Sequence, residues 1–361
     1  MEKSLYSQYI STLLPAVVLS YIETLNDSKN PQLKYKFREL LRSTYSSDGK
    51  WESLTGISNR VAADVIALDS SIPLKQRDTL QRASGNIAKL GIKFQLNENQ
   101  MTEIDTMIAK GATIAEVGAK ILNDIPRVIA GIMERLELMF LQGLSTGIAL
   151  ADTDNVGTGV RVDYGYYDVN KFGVAVLWAT PATATPIDDI QKVINKALVD
   201  GNIISKVYMD TPTLNAMLNT TQMKQQYAFT AGFTGTNVPT PSKDQANVTL
   251  SSKFGFTVET IDRVVKTEKD GVRTSKKPFK TGTLVFTPEG MLGDLVWADL
   301  AEKNHPKKSV DYQTVESYIL VSKYSETEPS FSESTKGQAR AVPVIANVDA
   351  IYTLDSLTVQ A

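Results

Sequence analysis

Three kinds of apolar spacing divide the chain. From Met1 to about Trp51 short apolar pieces, Leu13 to Ile22 and then Leu40 and Leu41, alternate with turn-rich ones such as Asn26 to Pro31. Apart from a helix at Leu33 to Arg42, this stretch reads as an arm that lays apolar residues on another surface rather than as a domain with its own core. Ser58 to Gln95 reads as extended. Val65, Ile66 and Leu68, and later Leu90, Ile92 and Phe94, have strand-like spacing on either side of the polar SSIPLKQRDTLQRASG. Two strands with a long polar tip form a projecting β-ribbon, which is marginal in water without a partner surface. Asn97 to Gln142 is the clearest helical region: Met101, Ile104 and Ile108, then Ile114, Val117 and Ile121, recur every three or four residues. Pro126 predicts a break at Asp124 and Ile125 and can start a second helix. Val128, Ile129, Ile132, Met133, Leu136 and Phe140 give that helix its apolar face, Arg127, Glu134, Arg135 and Glu137 are read as polar, and the end is placed at Gly143. Straightened, this spine would run roughly 60 Å.

Val160, Val162 and Tyr164 then alternate as a strand. Pro186 to Asp200 is an amphipathic helix with Asp188 and Asp189 in its first turn, where they suit the helix dipole. Lys206 to Met209 reads as a buried strand, Thr211 to Asn219 as a helix and Thr230 to Asn247 as a loop. FTVETIDRVVK and PFKTGTLVFTPEG are expected to be strands flanking a Lys269-Asp270-Gly271 turn. The tail returns to strands, and the alternation makes Pro186 to about Glu302 an α+β unit.

Composition narrows the chemistry. The 361 residues contain no cysteine and one histidine, His305, which excludes thiolate-held metals, disulfides, cysteine nucleophiles and multi-histidine zinc sites. No cofactor is expected. A formal charge of −2 does not suit a surface that wraps a polyanion. Arg263 to Lys280 is locally basic but lacks interleaved aromatics, so it reads as a solvated hairpin or a weak phosphate-facing or subunit-facing patch. Leu13 to Ile22 is about half the length of a membrane span; its leader MEKSLYSQYIST has no net positive charge and no cleavage site follows, so neither export nor membrane insertion is expected.

The local motifs have plain explanations. Gly143-Leu-Ser145-Thr-Gly147 matches a nucleophile elbow, but that device needs a strand before the serine and a helix after it, the reverse of the predicted order. A helix ending in glycine explains it. Asp152 to Gly157 resembles the start of a calcium loop, yet Val156 holds the fifth position and Asp163 the twelfth, where a glutamate is needed. Glycine spacing for nucleotide loops is absent. Carboxylate pairs such as Asp188 and Asp189, or Glu326 and Glu328, give no sign of a sheltered acid–base site.

An arm without a core, a ribbon and a long helical spine leave much apolar surface uncovered in a lone chain, and such surface marks association. Arg135-Leu-Glu137-Leu-Met-Phe-Leu-Gln142-Gly-Leu144-Ser-Thr-Gly147, then Val162-Asp-Tyr-Gly165 and Trp178, resemble the spine-helix exit and following strands of the lambda-like major capsid proteins (family E) of tailed bacteriophages. Pro186 to Leu198, Gly201 and KVYMDTPTLNAML are similar to that family's next portion. Leu284-Val-Phe-Thr-Pro288-Glu-Gly290, Glu302 and SYILVSKYSETEPSF…ARAVPVI are similar to its C-terminal part.

The resemblance implies an α+β, Hong Kong 97-type capsid fold. It would make residues 1–50 an N-terminal arm, 51–96 an extended β-hairpin E-loop, and 97–185 the spine helix with the first part of the peripheral domain. Residues 186–303 would be the axial domain and 304–361 the C-terminal strands of the peripheral domain. It further implies hexamers and pentamers of this chain in an icosahedral shell around double-stranded DNA, with scaffold, portal and decoration proteins as partners and assembly in the host bacterial cytoplasm. In that setting Ile72, Pro73, Leu74, Lys75 and Arg77 reach over a neighbouring subunit, Leu13, Val17 and Leu19 join the subunit interface, and Phe233, Thr234, Gly235 and Asn237 form the axial tip. Rival readings are an encapsulin-like compartment of the same fold, a serine hydrolase using Ser145, and a monomeric binding module.

Overall fold

The computed structural model describes residues 2–26, 34–55, 81–151, 160–235, 237–327 and 331–360. Its first element is not irregular. Helix α1 (Ser7–Asn26) places Ile10, Leu14 and Val18 on one buried face at four-residue spacing, and Pro15 lies on its exposed side. Helix α2 (Lys36–Leu40) and strands β1 (Leu41–Tyr45), β2 (Lys50–Thr55), β3 (Gln81–Asn86) and β4 (Lys89–Leu96) follow. The expected spine is three helices rather than two, with a break at Gly111 besides the expected one. Capping boxes at Asn97/Gln100 and Thr113/Glu116 start α3 (Glu98–Ala109) and α4 (Ile114–Ile121), and Gly111, at φ +80°, turns the chain between them. Helix α5 (Asp124–Thr146) starts at the expected break, carries Pro126 in its first turn and spans about 34 Å. It runs past Gly143 and stops at Gly147, whose φ of +77° closes a helix end. Gly143 instead makes room for Tyr164, since a Cβ there would lie 2.4 Å from the ring.

Strands β5 (Ile148–Ala151) and β6 (Val160–Asp163) pair, and β7 (Lys171–Val174) leads to α6 (Pro186–Val199), β8 (Lys206–Met209) and α7 (Thr211–Asn219), close to expectation. The Thr230 to Asn247 loop is shorter than expected. Helix α8 (Thr221–Ala231) ends at left-handed Gly232, and a Ser242/Gln245 capping box starts α9 (Lys243–Phe254). Then come β9 (Thr257–Thr260), β10 (Val265–Lys269), β11 (Val272–Lys276), β12 (Thr283–Thr287) and β13 (Gly293–Trp297). The turn at Asp270-Gly271, both at positive φ, joins β10 to β11; it does not join the longer segments expected. Helix α10 (Ala301–Asn304) and strands β14 (Asp311–Val315), β15 (Ile319–Glu326), β16 (Ser332–Ile345) and β17 (Tyr352–Val359) complete the order.

The chain forms two compact units. The first comprises residues 1–51, 85–140 and 294–344. Its sheet has the order β1-β13-β16-β15-β14, and β4 also pairs with β16, Ile92 lying opposite Gly337. The C-terminal strand expected of the ribbon therefore finds its partner surface in this chain. Helix α5 crosses the sheet at that point: a Cβ on Gly337 would lie 2.8 Å from Val128 Cβ, and one on Gly131 would lie 2.8 Å from Ile92 Cδ1. Ile125, Val128, Ile129, Ile132, Met133 and Leu136 are buried there. Glu137 is buried too, contrary to its expected place on the polar face. Its carboxylate accepts from Lys36 N–H at 3.0 Å and Phe37 N–H at 3.1 Å, capping α2, which has no side-chain cap of its own.

The second unit comprises residues 52–84, 141–293 and 345–361. Its sheet has the order β7-β17-β12-β8-β9. Strand β12 is buried throughout, and Ile190, Val193, Met217, Met223, Leu250 and Phe256 pack with Leu284 and Phe286 in one core. Asp189, placed by the sequence in the first helical turn with no sign of shelter, is buried and accepts from Ala175 N–H at 3.1 Å and Trp178 Nε1–H at 3.0 Å.

Candidate subunit-contact surfaces

The groups that most resemble a catalytic set are committed to structure. Ser145 lies in the last turns of α5; its Oγ donates to the Leu141 carbonyl at 3.0 Å and accepts from Lys280 N–H at 3.0 Å. A cleft of about 370 Å³ beside it is lined by Lys171, Lys280, Thr283 and Asp355, with Lys280 paired to Asp355 at 2.8 Å. Lys171 pairs with Asp168, also at 2.8 Å. No group of three histidine or carboxylate side chains among the described residues is placed to hold a metal. The calcium-like Asp152 to Gly157 lies outside them. Among the described residues no helix is long and apolar enough to cross a membrane.

Exposed apolar groups are the more informative feature. Gly232 takes the left-handed conformation that ends α8, and Phe233 N–H then donates back to the Ala228 carbonyl at 2.9 Å. This turn presents Phe233, Thr234, Gly235 and Asn237 together on one exposed loop. Phe229, one helical turn earlier and 85% exposed, and Val248 on α9 are also in solvent. Sequence reasoning missed these two because an apolar residue on a helix is read as core by default. On α1, Leu13 is half-buried against Gly118 of α4, Val17 is half-buried and Leu19 is exposed. Ile72, Pro73, Leu74, Lys75 and Arg77 lie outside the described residues.

Comparison with known proteins supplies the family. Residues 58–356 match the model of the family described as phage major capsid protein E. No curated protein matches the sequence. Among solved structures, a capsid protein of a prophage of E. coli CFT073 aligns at a TM-score of 0.56 and 14% identity, over 94% of this chain and 98% of that one. A phage-related protein of Bordetella bronchiseptica RB50 aligns at 0.50 and 11% identity, over 96% and 98%. The capsid protein of cyanophage A-1(L) aligns at 0.47 and 12% identity, over 88% and 90%. The α+β arrangement is thus that of the Hong Kong 97-type capsid fold, which the expectation from the sequence had named. With the family model spanning most of its length, this chain belongs to the phage major capsid protein E family, a family of structural capsid proteins.

Proposed function

We propose that copies of this chain associate as hexamers and pentamers into an icosahedral head that encloses phage double-stranded DNA. The observation that carries this reading is the family match over residues 58–356. The charge balance supports it: a container that fills with DNA and later empties is not served by a surface that clamps phosphates, and the formal charge is −2. Many modest contacts repeated by symmetry hold such a shell.

In this reading Phe233, Thr234, Gly235 and Asn237 meet other copies at the capsomer centre, with Phe229 beside them. Leu19 and the half-buried Leu13 and Val17 contribute to a contact along α1, and Ile72, Pro73, Leu74, Lys75 and Arg77 reach over a neighbouring subunit. Residues 1–50, 51–96, 97–185, 186–303 and 304–361 act as arm, E-loop, spine with peripheral strands, axial domain and closing peripheral strands. Scaffold, portal and decoration proteins are the expected partners, and the host bacterial cytoplasm is the place of assembly.

Negative-stain electron microscopy of the purified protein tests the proposal, with closed shells or rings of five and six expected. A single small species at every concentration overturns it. Particles recovered from infected or induced cells should carry DNA; particles filled with a protein cargo would point instead to the encapsulin-like compartment.

A further inference from the structure

Strand β14 flanks β15 only as far as Asp311, which lies opposite Lys323. Two residues further along β15, the N-terminal segment takes over that flank. Glu2 N–H donates to the Ser325 carbonyl at 2.9 Å, Ser325 N–H donates to the Glu2 carbonyl at 3.1 Å, and Ser325 Oγ donates to the Lys3 carbonyl at 2.9 Å. Ser4 Oγ then donates to a carboxylate oxygen of Glu333, the residue opposite Ser325 on β16. Tyr6 ends the run by donating its hydroxyl to Asp105 at 3.0 Å.

The strands that this segment joins carry charges that a β-sheet rarely encloses. Glu333 and Lys323 have no exposed surface; Lys323 Nζ donates to Thr335 Oγ1 at 2.9 Å. The second Glu333 oxygen and Asp311 Oδ2 are buried without a hydrogen bond. Of these groups the segment touches Glu333, and burying that carboxylate opposes closure, since water would solvate it well. A few hydrogen bonds hold the segment down, and hydration of Glu333 favours its release.

We infer that Glu2–Tyr6 is a strap that opens as one unit, separately from the rest of the sheet, and uncovers a strand edge at Ser325 together with the Glu333 carboxylate that Ser4 holds. Closed, it covers main-chain groups that would otherwise be free to pair with a foreign strand. Open, it leaves the ladder between β15 and β16 intact, because none of the strap's bonds belongs to that ladder. Local opening below the global unfolding limit is how such segments behave.

The test uses the full chain. Ser4→Ala removes the hydroxyl's hydrogen bond to the Glu333 carboxylate, and the one it accepts from Tyr6 N–H at 3.2 Å, while leaving both strands untouched; loss of a bond to a charged group corresponds to about a tenfold change in an opening equilibrium. Hydrogen exchange of the Ser325 amide should become about tenfold faster in Ser4→Ala, with the β15–β16 ladder amides unchanged. Because the chain lacks cysteine, Ser325→Cys creates a single thiol whose maleimide labelling reads the same opening. Adding Ser4→Ala should accelerate that labelling about tenfold as well. Unchanged rates, or an equal acceleration throughout the ladder, would overturn the inference, as would a wild-type Ser325 amide that exchanges as fast as an unfolded peptide.

Discussion

Glu137 lies within a helix where Arg127 is exposed and Glu134 and Arg135 are half-buried, yet it is itself fully buried and caps α2 from α5. Glu137→Ala should destabilise the fold by about 2–4 kcal/mol, since two main-chain donors lose a charged acceptor. Glu137→Gln keeps one acceptor oxygen and should lose roughly half as much. Urea unfolding of the two variants measures the difference. At the sheet edge, an ion pair with Lys93 holds the Glu326 carboxyl below its ordinary range. Burial pushes Glu302 up, but hydrogen bonds from Lys336 and Gln338 outweigh it and lower that group too. Carboxylates with depressed folded-state pKa values stabilise the native state above their unfolded value, about 4.3, and that contribution is lost as pH falls through the folded value. The urea midpoint should therefore drop as pH goes from 5 to 3, and drop less in Glu326→Gln. None of these buried or paired polar roles was legible beforehand. Glu137, Asp189, Lys323 and Glu333 carry no local mark of burial, because each is decided by groups distant in sequence.

At the level of elements, legibility followed the strength of the local pattern. Leu90, Ile92 and Phe94 alternate, and β4 is a strand with those three on its less exposed side. The periodicity of Met101, Ile104, Val117 and Ile121 gave helices, while the capping boxes that start them, Asn97 with Gln100 and Thr113 with Glu116, were not read from the sequence. Helix α1 was missed although Tyr6, Ile10, Leu14 and Val18 recur every fourth residue, because Pro15 sits among them and reads as a breaker. It is tolerated on the helix face that carries no packing. Helix α9 was missed because its polar run hides the period, though Ser242 and Gln245 spell a capping box. The crossing of α5 over the sheet rests on a feature no pattern announces: Gly337 admits the helix backbone at Val128. Gly337→Ala must push the two apart and should cost about 1–3 kcal/mol as an overpacked site. Thermal unfolding should show it, and a variant as stable as wild type would mean that the crossing is loose.

For the molecule as a whole, the sequence reads as a chain that finds missing contacts in other copies; membership of a capsid family is in keeping with that expectation, while α1 and β4 pack within this chain. Stability and association should then separate by mutation. Phe229 is 85% exposed and Phe233 41% exposed, so neither contributes much to the fold of its own unit. If these rings meet other copies around a symmetry axis, a loss at one ring is repeated at every interface of the ring of subunits and its effect on assembly is multiplied. Phe229→Ser combined with Phe233→Ser should leave the unfolding midpoint within about 0.5 kcal/mol of wild type, as surface substitutions do. The same pair should raise the concentration at which particles form by tenfold or more, read by light scattering and by counting particles on grids. Shells forming at the wild-type concentration would place the contacts elsewhere on the chain, whereas a large fall in stability would mean that the two rings belong to the core of their own subunit.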